Sequence, residues 1–319
     1  MQTKLLLIVG PTAVGKTALS IELAKRLHGE IVSADSIQIY RGLDIGSAKP
    51  NEAERGGIPH HLMDVADVLN AKFSVAEYQQ LAMSAIDEIS ARGKTPIVVG
   101  GTGLYINALT YPLQFTSIAA NPEIREELHE REEIAPGTLY RRLTEIDPKR
   151  AACIHKNDLK RIVRALEIYE VSGQIPSLHG NDFQNEKALA SPYDPLLIGL
   201  TMERSLLYAR IHERVDQMMR GGLLQEVLSV SNLPASLPAL QGLGYKQLLQ
   251  HVRGECTLEE AIFNIKQETR HFAKRQWTWF LRDKRTLWYD VALNSNLLDM
   301  AIKIEAQWNA HLQQKDEEG

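Results

Sequence analysis

Eight residues near the amino terminus restrict this chain more than any others: Gly10-Pro11-Thr12-Ala13-Val14-Gly15-Lys16-Thr17. They have the G-x-x-x-x-G-K-[ST] spacing of a P-loop. The context is the one the motif needs, with an apolar run from Lys4 to Val9 before it and an amphipathic segment, Ala18 to Leu27, after it. Such a segment has to fold as strand, loop and helix. The glycines let backbone N–H groups turn inward on an anion, and the helix N-terminus adds partial positive charge. Lys16 reaches the terminal phosphate as a point charge, and the Thr17 hydroxyl suits Mg²⁺. The expected ligand is therefore a di- or triphosphate.

The rest of the chain reads as an α/β protein with a helical interruption. Gly29 to Asp35 and Lys94 to Gly101 read as strands, and Ser74 to Ala91 has helical spacing of apolar residues. Strands alternating with helices predict a doubly wound parallel sheet, with ligands at the carboxyl ends of its strands. After Pro112 the signals turn helical. Glu123 to Ile134, Thr138 to Ile146 and Lys156 to Ser172 read as helices, and Asn181 to Pro195 as a loop. Leu196 to Thr201 then reads as a strand returning to the sheet, followed by mostly helical chain to a frayed end at Lys315 to Gly319. The expected division is a P-loop core over 1–115 and 196–319, interrupted by a helical insertion domain over 116–195, with a helical C-terminal part.

Composition narrows the setting. With 319 residues and 44% hydrophobic content a full core is available, and no stretch approaches the ~20 apolar residues of a membrane span. The formal net charge is −4, so a nucleic-acid partner would be held by local patches. Cys153 and Cys256 have no C-x-x-C partner and no signal peptide is apparent, which together suit reduced thiols in a cytoplasmic protein. No Cys/His spacing suggests zinc.

A typical P-loop kinase carries a carboxylate at the end of a second apolar strand. Here that strand runs into Gly100-Gly101-Thr102-Gly103, and the carboxylate, Asp35, stands on the earlier strand. Near bound phosphates Asp35 can support a metal or take a proton from a nucleophile; otherwise it is a turn residue. Thr102 can place a hydroxyl close to a ligand. Glu259 to Leu281 reads as one long helix, with Lys266, Arg270 and Lys274 at i, i+4 spacing on one face. Basic and aromatic residues interleave at its end, a pattern that can hold phosphates and stack on unpaired bases, or simply form core and solvated surface. Arg210 and Arg214 share a helical face and could reach a pyrophosphate.

Together these segments resemble the bacterial tRNA dimethylallyltransferases, also called tRNA isopentenyltransferases. The resemblance is carried in order by residues 10–17, 33–40, 44–50, 59–64, 99–105, 157–167, 242–246 and 273–279. It implies transfer of a dimethylallyl group from dimethylallyl diphosphate to N6 of adenine 37 in the anticodon stem-loop of tRNAs reading codons that start with U. Gly10 to Thr17 would then hold a prenyl pyrophosphate with Mg²⁺ on Thr17, which removes the need for a second-strand carboxylate. Asp35 becomes the proton acceptor, with Thr102 and Arg214 supporting the leaving group. The implied tRNA contacts are Asp35, Ser36, Ile37, Gln38 and Thr102; Lys160, Arg161, Ile162, Val163 and Arg164; Gln241, Gly242, Leu243, Gly244, Tyr245 and Lys246; and Lys274, Arg275, Gln276, Trp277, Thr278, Trp279, Phe280 and Leu281. The insertion would clamp the anticodon stem, and the protein would act as a monomer. The start Ala239-Leu240-Gln241 departs from the more polar or basic residues of some relatives. Three rivals remain at this stage: a P-loop kinase, a prenyltransferase acting on free adenine nucleotides, and a non-enzymatic RNA-binding switch.

Overall fold

The computed structural model describes residues 2–70, 73–111, 113, 118, 120–175, 193–293 and 296–313. Two compact units emerge, Met1–Thr110 with Ser191–Gly319, and Tyr111–Ala190. The first unit is built on a six-stranded, wholly parallel sheet. Its strands are β1 (Thr3–Val9), β2 (Gly29–Ala34), β3 (His60–His61), β4 (Thr95–Gly100), β5 (Tyr193–Thr201) and β6 (Leu287–Asp290), in the spatial order β3-β2-β4-β1-β5-β6.

The central strand explains why the sheet is covered on both sides. Leu5, Leu6, Leu7, Ile8 and Val9 are all fully buried, as a strand sandwiched between two helical layers requires. Successive side chains point to opposite faces. Leu6 and Ile8 accordingly pack with α1 (Lys16–Arg26), with α13 (Leu297–Gln313) through Met300, Ile304 and Trp308, and with Leu207 and Ile211 of α9 (Arg204–Arg220). Leu5, Leu7 and Val9 pack with Tyr78, Ala82, Ile86 and Ile89 of α3 (Val75–Ala91) and with Tyr105, Ile106 and Leu109 of α4 (Gly103–Thr110). A third cluster joins residues 37–68 to α9, α10 (Leu223–Ser229), α11 (Tyr245–Val252) and α12 (Leu258–Phe280). Residues 52–55 form the short α2 (Glu52–Arg55).

The second unit is helical: α5 (Pro122–Ile134), α6 (Thr138–Ile146), α7 (Pro148–Ala152) and α8 (Leu159–Ser172). Asn121, Asp147 and Asp158 cap three of these helices by accepting bonds from first-turn amides, which satisfies donors that a helix start leaves unpaired. Leu128, Leu139, Leu143, Ile162, Val163 and Leu166 form its core. Glu167, with no exposed surface, accepts from Arg125, Arg164 and the Asn121 amide. Burial opposes its ionisation, but those hydrogen bonds outweigh it and hold its carboxyl below the usual range.

One sequence expectation needs correction, and two short elements add to the reading. Tyr193 to Pro195 are the first residues of β5, not the end of a loop, because they pair with Thr3 to Leu5 of β1. The chain after Met202 is mostly helical, as expected, and Leu287–Asp290 adds a parallel edge strand beside residues 198–201. The apolar segment Gly103–Thr110 is a helix that periodicity did not mark. The loop expected over 181–192 and the frayed end at 315–319 lie outside the described residues. No described helix is long and apolar enough to cross a membrane.

Candidate active site

The carboxyl ends of β1, β2 and β4 open into a cavity of ≈ 770 Å³, within the range of small-molecule sites. Its lining includes Thr12, Ala13, Gly15, Lys16 and Thr17 of the P-loop, Asp35 and Gln38 after β2, and residues of the 44–51 segment. Arg210, Glu213 and Arg214 of α9 and Phe272 and Gln276 of α12 complete it. The sequence reading thus brings Lys16, Thr17, Asp35 and Arg214 into one space. Thr102 is not among the lining residues; its Oγ1 accepts from the amide of Ser36, the neighbour of Asp35, at 3.1 Å.

Charge is unbalanced here. Lys16 Nζ donates to the carbonyls of Gly10 (3.0 Å) and Pro11 (2.8 Å) of its own loop. Burial, and next the nearby Arg214 guanidinium, lower its pKa to about 7, with Asp35 only partly opposing them. Arg214 is half-buried and has no hydrogen-bond or ion-pair partner among the described residues. Its pKa too is lowered by burial, against the pull of Asp35 and Glu54. Lys16 and Arg214 are poorly solvated, and the carboxylates that pull on them, Asp35 on both and Glu54 on Arg214, offset their burial only in part, which suits an anion with more than one negative charge.

Asp35 is held firmly on one side. Its Oδ1 accepts from the amides of Ile37 (2.9 Å) and Gln38 (3.3 Å), so the chain turns at once after β2. No described donor engages Oδ2. Gln38 is fully committed within the protein, accepting from Ser33 Oγ at 2.9 Å and donating to the carbonyls of Ser47 and Ala48 at 3.3 Å.

Gln276 has a role that its place in a basic and aromatic run did not suggest. Its Oε1 accepts from the Thr12 amide at 2.8 Å and its Nε2 donates to the Gly101 carbonyl at 3.0 Å. One buried amide of α12 therefore ties the P-loop to the Gly100–Gly103 turn. A Cβ on Gly101 would lie 2.1 Å from that Nε2, so a larger residue there would push the Gln276 amide from this place. Lys49 was also missed. Its side chain is 3% exposed and donates to the Tyr40 carbonyl (2.5 Å), Asp44 (2.7 Å) and Asp64 (2.6 Å), pinning the 44–51 segment. The signal available for it was its place in the stretch 44–50.

The stretches assigned to tRNA contact divide by burial. On α12, Lys274, Arg275, Trp277, Thr278 and Leu281 are exposed and Trp279 is partly so, whereas Gln276 and Phe280 are buried. Of the three basic residues expected on one face by spacing, Lys274 is exposed, while Lys266 pairs with Asp216 of α9 at 2.6 Å and Arg270 donates to His212 of α9 at 2.8 Å. Around α11, Gln241 and Lys246 are exposed and Leu243 partly so, while Gly242, Gly244 and Tyr245 are buried. In the second unit, Lys160 and Arg161 are exposed and Arg164 is bonded to Glu167 and the Ile118 carbonyl. Ile162 and Val163 lie in that unit's core.

Residues 38–284 match the family described as IPP transferase. The chain is 46% identical to a tRNA dimethylallyltransferase of Alkaliphilus metalliredigens, covering 97% of this chain and 99% of the relative. It is 49% identical to one from Symbiobacterium thermophilum, covering 91% and 90%. Among solved structures, the full-length tRNA isopentenylpyrophosphate transferase of Bacillus halodurans superposes with a TM-score of 0.72 at 41% identity, covering 98% of this chain and 100% of that one. A eukaryotic dimethylallyltransferase captured acting on tRNA gives 0.82 at 30% identity, covering 99% and 81%. With its parallel sheet, its P-loop and a match over most of its length, the chain belongs to the IPP transferase family.

Proposed function

We propose that this chain transfers a dimethylallyl group from dimethylallyl diphosphate to the N6 amine of adenine 37 in tRNAs reading codons that start with U. The observation that carries the reading is the pairing, in one cavity, of the under-neutralised cations Lys16 and Arg214 with the half-free carboxylate of Asp35. The cations and the inward-facing P-loop amides suit the diphosphate, and the carboxylate suits a proton released beside it. The strand end that would hold a kinase carboxylate is Gly100-Gly101 instead.

The adenine leaves its stack to enter the cavity, as base-modifying enzymes require. Its N6 lone pair forms a bond to the allylic C1 while the C1–O bond breaks, and the electron pair departs on diphosphate. The N6 proton passes to Asp35, whose Oδ1 is already engaged by two amides and whose Oδ2 accepts it. Thr102, with its oxygen accepting from Ser36, still has its own O–H to donate to the leaving group. Lys16 and Arg214 meet charge that grows as the bond breaks. Thr17 is exposed at the first turn of α1 and lines the cavity, so its hydroxyl would hold Mg²⁺, and the ion would supply positive charge to the diphosphate. The exposed residues proposed to meet the RNA are Gln241, Lys246, Lys274, Arg275, Trp277, Thr278 and Leu281 in the sheet-bearing unit and, separately, Lys160 and Arg161 in the helical unit.

Asp35→Asn tests the assignment. Turnover with a stem-loop substrate is expected to fall by about 10²-fold or more, while stem-loop affinity stays within a few-fold. Near-normal turnover would remove Asp35 from the role of base.

A further inference from the structure

Residues 44–49 form a compact turn that walls the cavity, and the turn is rigid within itself. The Ala48 amide donates to the Ile45 carbonyl and the Lys49 amide to the Asp44 carbonyl, both at 3.0 Å. What needs explaining is how this small body is held against the rest of the unit. Lys49 anchors one end. The other end meets a single carboxylate on α10. Glu226 Oε2 accepts from the amides of Asp44 and Ile45, both at 2.8 Å. Its Oε1 accepts from the Gly46 amide at 3.0 Å and from the Tyr245 hydroxyl at 2.6 Å.

Four donors on one charged group are stronger than neutral hydrogen bonds and highly directional. The fit is close: a Cβ on Gly46 would lie 2.5 Å from Cζ of Tyr245, so only glycine admits the phenol at this point. Tyr245 is fully buried and remains a protonated donor, because burial and Glu226 both raise its pKa. From the turn the bonding continues inward. The carbonyls of Ser47 and Ala48 accept from Gln38, and the Gln38 amide donates to Asp35. Neither Glu226 nor Tyr245 lines the cavity.

We propose that Glu226, buttressed by Tyr245, is a positioning residue for the transfer reaction: it sets the 44–49 turn, and through Gln38 the aim of Asp35. This rests on the function proposed above and departs from the sequence expectation that Tyr245 contacts RNA.

Two variants test it in the full chain. Glu226→Gln leaves one oxygen to accept and turns an N–H toward backbone N–H groups. Tyr245→Phe keeps the ring against Gly46 and removes only the hydroxyl. Hydrogen exchange at the amides of 44–46, measured on the protein alone, is expected to rise about tenfold or more in Glu226→Gln and less in Tyr245→Phe. With dimethylallyl diphosphate and a stem-loop, kcat is expected to fall about 10- to 100-fold in Glu226→Gln, the scale on which small misplacements act. KM for the donor is expected to stay within about threefold, and Tyr245→Phe to fall between this variant and wild type.

Unchanged exchange at 44–46, or raised exchange with wild-type kcat, would overturn the proposal. So would a loss of stem-loop affinity in Tyr245→Phe with exchange and kcat unchanged, which would return that residue to RNA contact. A wild-type protein that transfers no label would sink the proposed function itself. The exchange arm, which needs no substrate, would then still decide whether Glu226 holds the turn.

Discussion

Lys16 shows how an active site stores electrostatic tension for its ligand. Its ammonium has lost water, faces Arg214, and has only two loop carbonyls and a nearby carboxylate in return, so its pKa falls to about 7. A diphosphate between Lys16 and Arg214 reverses the balance and raises that pKa. Below pH 7 Lys16 is already charged, and its titration adds no slope to the affinity. Above pH 7 binding has to take up a proton, and affinity falls as pH rises until the bound-state pKa is reached. Calorimetry of inorganic pyrophosphate binding at pH 8, in two buffers of different ionisation enthalpy, should show greater proton uptake by wild type than by Lys16→Arg. The arginine stays charged throughout, and the ligand's own protonation is common to both. Equal uptake would mean that Lys16 is not the titrating group.

The element of most consequence is α12, which has a buried side and an exposed side. Its capped start, Thr257 with Glu260, and its buried Ala261, Ile265 and Ala273 set its place in the fold, and Gln276 and Phe280 continue that inner face. Lys274, Arg275, Trp277 and Thr278 stand outside. Trp277→Ala should therefore weaken stem-loop binding by about 1–3 kcal/mol, the usual worth of a base stack, with little change in unfolding midpoint. Phe280→Ala should instead cost ~3–5 kcal/mol of stability. Binding and denaturant titrations on the two variants check the division, and a Trp277→Ala protein with unchanged affinity would refute it. The helix itself was legible in the sequence to within a residue at each end, because a long amphipathic period with a cap is a strong local signal. Which basic residues it offers was not. Lys266 and Arg270 share a face with Lys274 by spacing, yet Asp216 and His212 claim them from α9, and no local pattern records such a partner. The strand Leu287–Asp290 was hidden for a related reason: four residues carry too little alternation, and their pairing with β5 is made only in three dimensions.

At the scale of the whole molecule, a chain with net charge −4 has to recognise a polyanion through local patches, and the exposed residues of α12 and of the helical unit are the patches proposed for that role. The P-loop, Asp35 and the Gly100–Gly103 turn were readable because each is a short stretch at a strand end, where α/β proteins bind ligands. Glu226, Gln276 and Lys49 were not readable as supports, since what they do depends on backbone groups brought from elsewhere in the chain. In the proposed reaction this cavity joins a prenyl diphosphate to a tRNA adenine. The most direct test is transfer of labelled dimethylallyl from its diphosphate to two anticodon stem-loops, one with adenine and one with guanine just after the anticodon, with AMP and ATP as alternative acceptors. Label in the adenine stem-loop alone is the predicted result. Label in AMP or ATP, or in no acceptor at all, would contradict it.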